Sequence, residues 1–121
     1  MCIRDSNENS GRFARIGVVP EMNHNELVGW RTKNENLAVI FFRNETDHKR
    51  NQKRIEINNE VVSKYTSSVM EYWSKGDSMI EKTFYLINVC DHVSFNLSKR
   101  NNVIVEEIEV INYLKGELAK F

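Results

Sequence analysis

The stretch Leu37-Ala-Val-Ile-Phe-Phe42 is the longest continuous apolar run in the chain and the best guide to its fold. Short runs of this kind are typical of a strand that is covered on both faces, as in a parallel sheet. The run is far shorter than the roughly 20 apolar residues that a membrane-spanning helix needs. We therefore predict a buried strand of a parallel sheet at this point.

Strand and helix patterns alternate on both sides of this run. Residues 75–78 supply the turn and the N-cap for the longest helical pattern. The order yields parallel β/α/β units, so we predict an α/β fold, a three-layer sandwich with a parallel sheet flanked by helices on both faces. The predicted elements are a strand over residues 13–19, a short helix after residues 21–26, the strand over 37–42, a helix over 49–64, a strand over 68–73, and helices over 79–97 and 106–120.

The composition indicates one globular domain and excludes several functions. A chain of 121 residues is enough for one domain and too short for two ordinary ones. Its 17 Lys and Arg residues balance its 17 Asp and Glu residues, which argues against binding nucleic acid or a membrane through bulk charge. Cys2 and Cys90 give neither a metal spacing nor a disulfide framework, and the first residues lack the apolar core of a secretory signal. We predict a cytoplasmic protein.

The first six residues, Met-Cys-Ile-Arg-Asp-Ser, resemble the translation of a sequencing adapter. We therefore expect residues 1–6 not to be natural sequence and the natural protein to continue upstream of them. An ordinary disordered N-terminus is the alternative.

The string Pro20-Glu-Met-Asn-His-Asn-Glu26 carries the densest group of polar side chains in the chain. It follows a predicted strand, at the edge where open parallel sheets bind their ligands. A single histidine in a loop is more often structural than catalytic, but this position and these neighbours favour a functional role for His24. Glu21, His24 and Glu26 could in principle ligate zinc, yet a closed site requires more His or Cys ligands than the chain offers. We predict no metal site.

Two other features, taken alone, would be unremarkable. Asn7-Glu-Asn-Ser10 is predicted to be an acidic loop before the first strand, and Lys115 a surface lysine on the last helix. No glycine-rich phosphate loop is present. The basic residues 48–54 form one solvated helix face without an aromatic platform for bases.

Together these clusters resemble the C-terminal sugar isomerase (SIS) domain of the bifunctional phosphoglucose/phosphomannose isomerases. That family carries Asn-Glu-Asn-Ser or Asn-Glu-Asn-Ala and then Pro-Glu-x-Asn-His-Asn-Glu-x-x-Gly-Trp, which match residues 7–10 and 20–30. Asp91-His-Val-Ser94 with Leu97, and the ending at 111–118, are similar to the family's last two helices. The resemblance covers residues 7–121 and implies a partial C-terminal SIS domain.

The resemblance implies an aldose–ketose isomerase that interconverts glucose 6-phosphate and mannose 6-phosphate with fructose 6-phosphate. It implies that Glu8 is the base that moves a proton between C1 and C2 through an enediol, and that His24 assists ring opening. Lys115 would be the cation near the developing oxyanion. No metal or organic cofactor is required. One departure is Gly11, where many relatives carry lysine.

The resemblance also implies parts that this sequence lacks. Family members have an N-terminal SIS domain with a Ser/Thr-rich phosphate loop, and they form homodimers in which the histidine reaches the neighbouring subunit's site. We therefore expect an N-terminally truncated SIS domain with little activity on its own. A regulatory SIS domain that binds a sugar phosphate without catalysis, and a structural domain whose polar loops cap helices, are the alternatives.

Overall fold

The computed structural model describes residues 2–105 and 107–121, with side chains described from residue 6 onward. The chain forms two compact units: a first unit made of the residues up to Arg15 and from Ile87 onward, and a second unit, Ile16–Leu86. The helices are α1 (Cys2–Ser10), α2 (Lys49–Val62), α3 (Met79–Asn101) and α4 (Glu109–Leu118), the strands are β1 (Val39–Arg43) and β2 (Val69–Trp73), and 3₁₀ turns lie at Glu21–Asn23 and Leu27–Gly29.

The second unit is built on a parallel β1–α2–β2 arrangement. The two strands pair in register from Val39 opposite Val69 to Arg43 opposite Trp73. A parallel pair cannot be joined by a tight turn, and α2 is the crossover that returns the chain to the start of β2. The α/β class and the parallel pairing predicted from the sequence are confirmed, as are the strands over 37–42 and 68–73 and the helix over 49–64.

The core of the second unit lies between α2 and one face of this sheet. Phe41, Ile55 and Val62 are each no more than 7% exposed and form one cluster. Five partly buried apolar side chains pack against this cluster: Val19, Leu27, Trp30, Val39 and Val69. The alternate residues of the strands face the other way and are 37–43% exposed: Ile40, Phe42, Met70 and Tyr72.

The buried row of α2 differs in part from the predicted one. The apolar pattern of the sequence predicts a buried face made of Ile55, Ile57, Val61 and Val62. In the structure Ile55 and Val62 are buried, Val61 is half-buried and Ile57 is exposed, and the third buried residue is Asn58. Positions 55, 58 and 62 follow the 3.6-residue period of a helix. The helical period was therefore predicted correctly, and the error arose because only apolar residues were placed on the inner face.

Two predicted elements near the N-terminus were wrong. Residues 13–19 form no strand, and Phe13, Ile16 and Val18 are exposed. A strand needs a hydrogen-bonding neighbour, and in the described residues β1 and β2 pair only with each other. Residues 7–10, predicted as a loop, are the end of α1. Asn and Ser favour caps and turns, which is why this sequence indicated a loop.

The remaining helices follow the predicted pattern with shifted ends. The short helix predicted before Trp30 is instead the two 3₁₀ turns. α3 runs four residues further than predicted, to Asn101, and α4 begins at Glu109. The predicted start at Glu106 falls outside the described residues. In the parts of the chain that the structure describes, we find no helix with the length and apolar character of a membrane span.

The predicted turn and N-cap at residues 75–78 precede α3, and the structure adds a capping box formed by Ser78 and Glu81. Ser78 Oγ accepts from the Glu81 backbone N–H at 3.2 Å. In return, Glu81 Oε2 accepts from the backbone N–H groups of Ser78 at 2.7 Å and Asp77 at 2.8 Å. The two backbone N–H groups hold the pKa of the Glu81 carboxyl below its ordinary value of 4.5, and a hydrogen bond from the Ser78 hydroxyl adds a smaller lowering. The charged form of Glu81 therefore stabilises the start of the helix.

We predict that the stabilisation from Glu81 depends on pH. Because the pKa is lower in the folded state, the contribution is complete above the ordinary value of 4.5 and is lost as the pH falls through the folded value. The melting temperature of Glu81→Gln should lie below that of the parent at neutral pH, and the gap should close in acid. The exposed Glu45→Gln is the control and should show no such gap. A gap that is constant with pH would contradict this account.

We also predict that Val62→Ala destabilises the second unit. Val62 is 1% exposed in the core, and removing two buried methyl groups costs about 1–3 kcal/mol. Urea unfolding followed by tryptophan fluorescence measures this unit alone, because both tryptophans, Trp30 and Trp73, belong to it. Val110→Ala, at an exposed site on α4, should leave the fluorescence midpoint unchanged. Equal effects of the two changes would place Val62 outside the core.

Candidate functional site

The three residues predicted to be catalytic lie on three different elements. Glu8 is on α1 and Lys115 on α4, both in the first unit, whereas His24 follows the turn Glu21–Asn23 in the second unit. All three residues are exposed. Within the described residues, no hydrogen bond or ion pair engages their side chains, so each is accessible to a substrate. Their catalytic roles stay predictions.

The end of α1 around Glu8 is fixed by its neighbours. The Asn7 side chain donates from Nδ2 to the Ala14 carbonyl at 3.1 Å and accepts at Oδ1 from the Ala14 N–H at 3.0 Å. Ser10 is fully buried, and its carbonyl accepts from Asn101 Nδ2, on α3, at 3.0 Å. The exposed carboxylate of Glu8 therefore stands between two anchored residues.

Gly11 ends α1 in the left-handed region, with φ of 61°. Glycine adopts this conformation without the steric cost that a Cβ brings, and it is the usual residue just past a helix end. A Cβ at Gly11 would lie 3.4 Å from Val103 Cγ2, an ordinary contact. Backbone conformation rather than space therefore favours glycine here, where the family pattern often has lysine.

The turn that carries His24 is built from backbone hydrogen bonds. The Met22 N–H donates to the Val18 carbonyl at 2.8 Å, and the His24 N–H donates to the Glu21 carbonyl at 3.0 Å. The Glu26 N–H then donates to the Met22 carbonyl at 3.0 Å. The His24 side chain at the end of this turn is exposed.

The buried Asn58 of α2 joins this turn to the core. Its Oδ1 accepts a hydrogen bond from Asn23 Nδ2, and its Nδ2 donates to Met22 Sδ at 3.7 Å. Asn58 is fully buried, and Asn23 is the residue directly before His24. The other polar atom of the Asn23 side chain, Oδ1, is buried with no hydrogen-bond partner among the described residues. Sequence reasoning missed Asn58, although its helical spacing from Ile55 and Val62 could have indicated it.

A second buried polar cluster fixes the carboxyl ends of the strands. Arg43, only 4% exposed, donates from Nη1 to both carboxylate oxygens of Glu71, at 3.1 and 3.2 Å. Asn59 Nδ2 donates to Glu71 Oε1 at 2.8 Å, and the Arg43 guanidinium lies 4.6 Å from the centre of the Trp73 ring. A groove of about 540 Å³ passes these residues. A buried charge requires a partner. The Arg43 guanidinium is therefore occupied in linking β1 to β2 through Glu71 and is not available as a cation for a ligand.

Metal binding finds no support in the geometry. In the described ranges, no three His, Cys, Asp or Glu side chains converge closely enough to hold an ion. In the polar turn, Glu21 instead accepts from Asn25 Nδ2 through its Oε1, at 3.4 Å. Cys90 is a buried cysteine of α3.

The parallel βαβ unit with a polar turn beside it places the chain among the α/β proteins. The sequence profile of the bacterial phospho-glucose isomerase C-terminal SIS domain matches residues 4–118. The chain belongs to this family, and its resemblance to the family is confirmed.

Similar proteins from several organisms carry the name bifunctional phosphoglucose/phosphomannose isomerase. The protein of Caldicellulosiruptor bescii is 32% identical over 116 residues, which are 93% of this chain and 34% of the relative. The protein of Aquifex aeolicus is 29% identical over 117 residues, 94% of this chain and 36% of the relative. That of Thermoplasma acidophilum is 27% identical over 113 residues, with shares of 93% and 36%. The chain therefore spans about a third of the length of these relatives.

We predict opposite effects for alanine at two glycines of the first unit. Gly11→Ala should destabilise the unit by about 1 kcal/mol, because a Cβ is strained at this positive φ. Gly116→Ala should stabilise it by a few tenths to about 1 kcal/mol, because Gly116 lies inside α4 with open space around it. Chemical unfolding followed by circular dichroism of the helices measures both. Stabilisation by Gly11→Ala would contradict the left-handed end of α1.

Proposed function

We propose that this chain supplies the proton-transfer residues of an aldose–ketose isomerase acting on hexose 6-phosphates. The reaction interconverts glucose 6-phosphate and mannose 6-phosphate with fructose 6-phosphate through an enediol. The observation that carries the proposal is the family match over residues 4–118, which includes both polar motifs, 7–10 and 20–26. Relatives named for these two isomerase activities support it.

Glu8 is the proposed base. It takes the proton from C2 of the aldose while the C1 carbonyl oxygen gains a proton, which gives the enediol. It then returns its proton to C1 while the C2 hydroxyl loses a proton, which gives the ketose. A carboxylate held against carbon performs this step, and partial removal from water makes it a stronger base. Anchoring of Asn7 and Ser10 on both sides of Glu8 supports this role, because a base must be held in place to reach a carbon-bound proton.

His24 is the proposed group for ring opening. The cyclic sugar opens when a proton reaches the ring oxygen, and closing reverses that transfer. Imidazole can both give and accept a proton near neutral pH. The exposure of His24 at the tip of an anchored turn suits a side chain that reaches outward, to another domain or to a second subunit of a homodimer.

Lys115 is the proposed cation for the negative charge that develops on the sugar oxygens. Its ammonium would stabilise the enediolate by charge. Lys115 lies on the last turns of α4 and is exposed. Of the three assignments, this one rests on the least specific motif, Leu-Lys-x-x-Leu at 114–118.

Exposure of all three side chains leads us to expect little turnover from the 121-residue chain alone. Desolvation of the base and anchoring of the phosphate both contribute to catalysis. The chain spans about a third of its curated relatives, and the phosphate loop that the family resemblance implies has no counterpart in it. We propose that a further SIS domain and a second subunit complete the site.

The alternative is a regulatory SIS domain that binds a sugar phosphate without converting it. Such a domain needs a phosphate site but has no use for a base, an imidazole and an ammonium at these positions. The presence of Glu8, His24 and Lys115 in the family's order favours the enzyme.

We predict that a hybrid tests this function directly. The C-terminal third of the Caldicellulosiruptor bescii relative is replaced by residues 7–121 of this chain, and deuterium uptake at C2 of glucose 6-phosphate is measured in heavy water. The hybrid should incorporate deuterium at C2. Glu8→Gln should lower the rate of incorporation by about 10³-fold or more, because a glutamine amide is not a base in water near neutral pH.

Two controls accompany this measurement. Glu107→Gln, which changes an exposed carboxylate of the same unit, should keep the full rate. Glucose 6-phosphate should still bind the Glu8→Gln hybrid by calorimetry. Undiminished exchange in Glu8→Gln would refute the assignment of the base, and substrate binding without exchange in the unchanged hybrid would favour the regulatory alternative.

A further inference from the structure

We propose that Asn58 of α2 is a positioning residue for His24, acting through the Asn23 side chain. The inference rests on the proposed role of His24 in ring opening. Asn58 lies outside both polar motifs of the sequence, and it is separated from Asn23 by 35 residues. It is the only residue of α2 whose side chain bonds to the turn among the described residues.

The position of Asn58 in the core argues for a specific role. It occupies a fully buried site in the row formed by Ile55 and Val62. Burying an amide is unfavourable unless its groups find partners, and an apolar side chain at such a site is often at least as stable. An amide on the buried face of a helix therefore favours one particular arrangement of its hydrogen-bond partners.

Both partners of Asn58 belong to the turn. The oxygen of its amide fixes Asn23, the residue before His24, and the nitrogen fixes Met22. The flanks of the turn are fixed separately, because Val19 and Leu27 pack against the core cluster. Asn58 thus holds the middle of a segment whose two ends are already fixed. Its contact is with the residue directly before His24.

The adjacent residue supplies a matched control. Asn59 is also an amide of α2 with side-chain bonds, but it donates to Glu71 of β2 and accepts from Ser63. Neither of those bonds reaches the turn. Changing Asn58 and Asn59 separately therefore distinguishes support of His24 from general support of the helix.

The first measurement uses the 121-residue chain and needs no substrate. Amide hydrogen exchange is followed by NMR in the parent, Asn58→Leu, Asn23→Leu and Asn59→Leu. Exchange at the N–H groups of His24 and Glu26, both hydrogen-bonded within the turn, should be about tenfold faster in the first two variants. Exchange within α2 should stay unchanged. Asn23→Leu breaks the same hydrogen bond from the side of the turn and leaves the sequence of α2 unchanged. It therefore gives the answer even if α2 does not tolerate Asn58→Leu.

The second measurement is a double-mutant cycle in the hybrid described above. Asn58→Leu should lower kcat by about tenfold with little change in KM. His24→Gln should remove one limb of the pH–rate profile, and Asn58→Leu should make that same limb less steep. When His24 is already Gln, Asn58→Leu should cause no further loss. Asn59→Leu should leave kcat unchanged.

The outcomes separate the two hypotheses. If His24→Gln leaves the rate intact, the proposed role of His24 fails. If His24→Gln lowers the rate but Asn58→Leu lowers it by the same factor with and without His24, Asn58 is merely structural and the inference is overturned. Unchanged exchange at His24 and Glu26 in both Asn58→Leu and Asn23→Leu overturns it as well.

Discussion

Packing of α2 against β1 is the interaction on which the second unit depends. Phe41, Ile55 and Val62 are the fully apolar members of its core, and a two-stranded sheet is not stable in water without such a partner. The parallel pairing itself requires a crossover, and α2 is both that crossover and the cover. The same helix bonds to the polar turn through Asn58. The helix on which the fold of this unit depends therefore also fixes the turn that precedes His24, the proposed ring-opening residue.

Periodicity predicted those parts of the fold in which local pattern and burial agree. The run 37–42, the helix over 49–64 and the turn with its N-cap at 75–78 each carry a signal within a few residues, and each is present. Residues 13–19 have the composition of a strand, but pairing depends on a neighbour that no local pattern encodes. Residues 7–10 have cap-forming side chains, yet they extend a helix that ends only at Gly11.

The candidate site shows the same division between local and long-range information. Glu8 and His24 stand inside short motifs, so a single sequence could suggest them and the family match supports their proposal. Asn58 and Arg43 have no motif. Their partners lie 35 and 28 residues away, and hydrogen bonds at such separations become visible only when the fold brings the elements together.

A physical consequence follows from where charge and burial are placed. The three side chains proposed for catalysis are exposed. The polar groups that support the strands and the turn, Arg43 and Asn58, are buried. Buried polar groups hold geometry because they cannot exchange their partners for water without cost. Exposed groups keep their freedom to bind but gain no help from a dry environment. The described chain thus provides orientation, and under the proposed function a further domain or subunit supplies the desolvation that Glu8 and His24 need.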